Sequence, residues 1–135
     1  MTQWILNLPI LFRVVAVLHF LQGLLMMFGG KFITEGYGWE YSIGFAAMAE
    51  HHGSGLICIS LFFWFLPSLF NIQDLKRISS LALIIQAVLI LMPIYHAVFE
   101  YFPIDPSFFV IVIVLTIVMT LFYFSSRVNL EQEEN

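Results

Sequence analysis

Four stretches of the chain, at roughly residues 9–30, 44–70, 78–102 and 107–126, are almost unbroken in apolar character, and polar residues gather between them. Each is long enough for the roughly 20 residues that a helix needs to cross a bilayer, so the pattern predicts four membrane-spanning helices. The first break, GGKFITEGYGWEYS, combines glycines with Tyr37, Trp39 and Tyr41, aromatic types that settle at membrane interfaces. The second, NIQDLKR, is short and polar. In the third, YFPIDPS, Pro103 and Pro106 stop one helix and start the next, with Pro106 near a first-turn position where its missing N–H costs nothing.

Connections this short make neighbouring helices run antiparallel. Arg13, Lys76, Arg77 and Arg127 then fall on one side of the membrane and Lys31 alone on the other, which places both termini in the cytoplasm. The expected fold is all-α: an integral membrane four-helix antiparallel bundle, forming a single transmembrane domain over residues 1–135.

Composition agrees with this solvent. Of the residues, 61% are apolar and only 10% charged, and the mean hydropathy of +0.94 lies well above that of soluble globular proteins. The net charge of −4 comes largely from the tail NLEQEEN and leaves no basic footprint for nucleic acid. The opening stretch MTQWILNLPILFRVV has no basic n-region and no small-residue cleavage site after a short apolar core, so the first apolar run is expected to stay as a helix. Cys58 is the one cysteine, which excludes an internal disulfide and any multi-cysteine metal or redox motif.

Against this background AAMAEHHGSGL, residues 46–56, stands out, because it sets Glu50, His51 and His52 side by side in a spanning segment. At 1.5 Å per residue Glu50 and His51 lie on the order of 10 Å below the outer end of the second segment, within the hydrocarbon. His96 and Glu100 fall in the same outer half on the third segment. They are four residues apart, on a stripe with Gln86 and Pro93. His19 and Gln22 share a face of the first segment. The fourth offers nothing more polar than Thr116 and Thr120 and reads as a packing wall. An ionisable group at the bilayer centre costs about 2.5–3.5 kcal/mol even on the lenient insertion scale, so such groups face the bundle interior, pair, or meet water. Glu50 and Glu100 are therefore expected to find histidine partners.

The layout resembles the DoxX-like group of small four-helix membrane proteins, in which a first helix ends in small residues, here LQGLLMMFGG. A second helix there opens on a charged residue and a small-residue cluster, here AEHHGSGL. The resemblance implies the four-helix fold, a bacterial plasma membrane and, for some relatives, links to quinone or thiosulfate redox chemistry. Glu50, His51 and His52 stand where an arginine and a tyrosine belong in that group, so the resemblance carries fold and not activity.

Three functional readings follow. The first is an outer-half pocket lined by His19, Gln22, Glu50, His51, His52, His96 and Glu100 that binds a small ligand or redox cofactor: a quinone, haem or a transition metal. A histidine beside a carboxylate suits proton-coupled chemistry. No HxxxH or HxxEH spacing singles out a metal, and only one of the adjacent histidines need belong to the site. The second reading is an accessory or scaffold subunit, whose polar residues join helices and contact a membrane-protein partner or another copy of the chain. The third is a proton-coupled carrier, which needs a path through the inner half, where only Arg13, Gln86 and serines are offered. A hydrolase is disfavoured, because Ser54 lies near the histidines but nothing marks an oxyanion hole. The cluster Gly53, Ser54, Gly55 is read first as a place of close helix packing.

Overall fold

A computed structural model describes residues 7–36, 38–99 and 106–128. All regular structure among them is helical: α1 (Leu8–Phe28), α2 (Gly30–Gly36), α3 (Ile43–Leu69), α4 (Ile72–Val98) and α5 (Pro106–Val128). Four of the five, all but α2, are long and apolar enough to cross a membrane. The chain is an integral membrane protein with a lipid bilayer as its surroundings. Two expectations need correction. Beside the four expected spans the glycine-rich break, read as a loop, contains the short α2, and NIQDLKR caps and opens α4 rather than forming a loop.

Local chemistry explains both. The Asn71 side chain accepts a hydrogen bond from the Asp74 N–H at 3.0 Å, and Asp74 adds a negative charge to the first turn, so the polar residues cap the helix. In the glycine-rich break, α2 begins where Gly29 interrupts α1 and ends in a Schellman motif. There the Trp39 N–H donates to Thr34 O at 2.9 Å and the Gly38 N–H to Glu35 O at 3.1 Å. Gly38 has φ 70°, the left-handed conformation that this ending requires. The Thr34 hydroxyl, fully buried, donates to Gly30 O and Lys31 O. Ser42 then caps α3 by accepting from the Phe45 N–H. Pro106 occupies the first position of α5, as its spacing predicts.

The chain divides into two compact units, residues 12–69 and residues 1–11 with 70–135. In the first, α1 and α3 pack antiparallel, since Phe12 meets Phe63 edge to face while Gly23 meets Gly53 further along. Gly30 of α2 lies against Ala49 of α3. In the second, α4 packs on α5. The buried positions of α4 are Leu75, Ser79, Ala82 and Gln86, at the alternating four- and three-residue spacing of a helix-packing seam. Val118, Phe122 and Ser125 repeat it on α5.

Candidate functional site

Helix register decides where the Glu50–His52 segment lies. The 21 residues of α1 make a rod of about 31 Å, close to the roughly 30 Å of the hydrocarbon core, whereas the 27 residues of α3 make one of about 40 Å. Because α1 and α3 are antiparallel, with Gly53 against Met27 near the end of α1 and Ala49 against Gly30 just beyond it, the start of α3 overhangs its neighbour. Glu50, His51 and His52 therefore lie level with the end of α1, about two turns into α3. The signal in the sequence was the glycine pair, which sets the register, and it shows only once the two helices are aligned.

Glu50, His51 and His52 are all exposed, while the neighbouring Ala49 and Gly53 form the buried face of this turn. Neither histidine turns into the unit. No ion pair to the Glu50 carboxylate exists among the described residues, so the expected histidine partner is not found there. The Ser54 hydroxyl donates to His51 O at 2.8 Å, a bond within its own helix that gives Ser54 no nucleophile's setting. The packing reading of Gly53, Ser54 and Gly55 holds at Gly53, where an added Cβ would stand 2.6 Å from Gly23 O, and not at Gly55, which faces open space.

His19 is buried, and its ring lies 6.0 Å from that of Phe63. Thirteen residues of α3 separate Phe63 from Glu50, about 20 Å of helix, so His19 and the Glu50 segment do not form one cluster. The expected common face of His19 and Gln22 is divided, since Gln22 is exposed. His19 Nδ1 lies 2.9 Å from Val15 O, an acceptor, so Nδ1 carries the proton and Nε2 keeps its lone pair in the neutral ring. His96 sits half-buried near the end of α4, its ring against Tyr95 at 5.8 Å, and belongs to the other unit. Glu100 lies outside the described residues. Among the described residues, no three His, Cys, Asp or Glu side chains converge to hold a metal ion.

One polar residue carries more weight than its sequence context indicates. Gln86 is fully buried near the middle of α4, and neither Nε2 nor Oε1 has a hydrogen-bond partner among the described residues. Its place on a polar stripe was legible; its complete burial depends on packing that composition cannot reveal.

Comparison with known proteins finds no matching family, no matching curated protein and no matching solved structure.

Proposed function

We propose that this chain is an accessory subunit of a membrane complex, anchored by its four long helices and presenting Glu50, His51 and His52 to a partner protein. The observation that supports this reading is the outward direction of all three side chains on a membrane-length helix, with no ion pair for Glu50 inside the described chain. Polar side chains on a membrane helix can hydrogen-bond to complementary groups on a neighbouring helix. A second copy of the chain would satisfy the same chemistry, carboxylate to imidazole across a two-fold axis. The resemblance of the sequence layout to the DoxX-like group supports a bacterial plasma membrane as the setting of such a complex. The test is the size of the assembly extracted from native membranes in mild detergent, for the wild type and for Glu50→Ala/His51→Ala/His52→Ala. The expected result is a large assembly that the triple variant loses while keeping its helical circular dichroism. A wild type that is monomeric, or a variant that stays in the assembly, would overturn the reading.

A second reading, ligand or redox-cofactor binding, is favoured by His19. A buried imidazole held through Nδ1–H by a backbone carbonyl, with Nε2 left to accept or coordinate, is the arrangement that orients histidine ligands of metals and haem and suits a quinol hydroxyl. Optical absorption, elemental analysis and solvent extraction of the purified protein test it. A haem band, stoichiometric metal or bound quinone that His19→Ala abolishes supports it, and a wild type carrying none of them rules it out.

A further inference from the structure

α1 and α3 leave an apolar groove of about 310 Å3 on the outside of their unit. Its origin lies in side-chain size. The buried residues that line it, Ala16 and Ser60, are small, whereas those along its edges, Val17, Phe20, Leu61 and Phe65, are large and exposed. Trp64 lines one end, and there the Arg13 guanidinium stands 6.0 Å from the Trp64 ring centroid. Arg13 lies five residues from the start of α1 and Trp64 five residues from the end of α3, which puts both about 8 Å from the same end of the antiparallel pair. From there the long Arg13 side chain can extend to the lipid headgroups, with Trp64 beside it. Arg13 is exposed, and no carboxylate pairs with it among the described residues.

We propose that this groove is a binding site for one anionic phospholipid, its phosphate held by Arg13 beside Trp64 and one acyl chain laid along α1 towards Phe20. Charge and geometry choose the occupant. A guanidinium offers a planar fork of N–H donors that matches phosphate oxygens, and the Trp64 ring at 6.0 Å lies within cation–π reach of it. The apolar groove contributes shape but little affinity of its own, since an acyl chain leaves equally apolar neighbours to enter it. Selectivity therefore resides in the headgroup. A single basic residue near the surface corresponds to about a fivefold preference for anionic over zwitterionic lipid.

Trp64 reports directly on the site. The full chain carrying Trp4→Phe and Trp39→Phe keeps it as the one tryptophan and is reconstituted in phosphatidylcholine vesicles. Those vesicles contain either chain-brominated phosphatidylglycerol or chain-brominated phosphatidylcholine. Quenching of Trp64 at about fivefold lower mole fraction of the brominated phosphatidylglycerol is expected. Arg13→Gln should move that curve onto the phosphatidylcholine one, and Val17→Phe, which narrows the groove and leaves Arg13 in place, should reduce quenching by both. Coincident curves in the starting protein would overturn the proposal, as would a preference that survives Arg13→Gln or quenching indifferent to Val17→Phe. A Trp64 that neither lipid quenches would overturn it as well.

Discussion

The contact between α1 and α3 and the buried face of α4 bind helices by opposite means. At Gly23 and Gly53 there are no side chains, and the two backbones approach so closely that a Cβ on either glycine would stand within 3 Å of the other's carbonyl oxygen. On α4 the buried face instead holds Ser79 and Gln86, and among the described residues the Gln86 amide has no partner for either polar atom. Lipid tails are as apolar as leucine, so burying apolar surface between helices gains little in a bilayer. Van der Waals fit and satisfied polar groups decide the outcome. The first region has the fit; the second carries polar atoms whose bonds are incomplete.

The largest effect is expected where the fit is tightest. Gly53→Leu sets a side chain against Gly23 O and the Met27 backbone and should destabilise the unit of residues 12–69 by about 3 kcal/mol or more, read from reversible unfolding in mixed micelles. If the variant unfolds at the wild-type denaturant concentration, the close approach does not hold the helices. Gln86→Leu should act in the opposite direction and stabilise the protein by about 1–2 kcal/mol, because it removes two unpaired buried polar atoms from a site of similar volume. A loss in that assay would mean that the amide has a bound water or ligand as its partner, and would erase the contrast. Thr34→Val removes a buried hydroxyl bonded to Gly30 O and Lys31 O, so α2 should weaken by about 1 kcal/mol, seen as faster amide exchange at Gly38 and Trp39. Smallest of all, Lys31→Ala deletes an exposed ion pair to Glu35 at 3.7 Å and should change stability by less than about 0.5 kcal/mol.

The spans were legible because hydropathy alone determines them. The expected stretches 9–30, 44–70 and 107–126 match α1, α3 and α5 within two residues at each end. The third stretch began late because Gln73, Asp74, Lys76 and Arg77 read as a loop, although Asn71 caps them into a helix. Nor did the aromatic and glycine signals of the first break announce α2, a helix that depends on a buried threonine and a left-handed glycine. The candidate site was legible as residue types and not as an arrangement. Glu50, His51 and His52 were found by their chemistry, but their direction follows from Ala49 and Gly53 taking the inner face, and their level beside the end of α1 from the register of α1 on α3. The groove at Arg13 and Trp64 carries no motif at all. It arises from two small residues on different helices, which sequence spacing cannot bring together.

The glycine pair also bears on heredity. Every other amino acid has a Cβ, so each change at position 23 or 53 meets a neighbouring backbone, whereas Gly36 and Gly55 have nothing within 4 Å of that atom. A saturation library selected for folded protein would be nearly silent at 23 and 53 and varied at 36 and 55. Within one short chain, the same letter of the sequence is fixed at one place and free to drift at another.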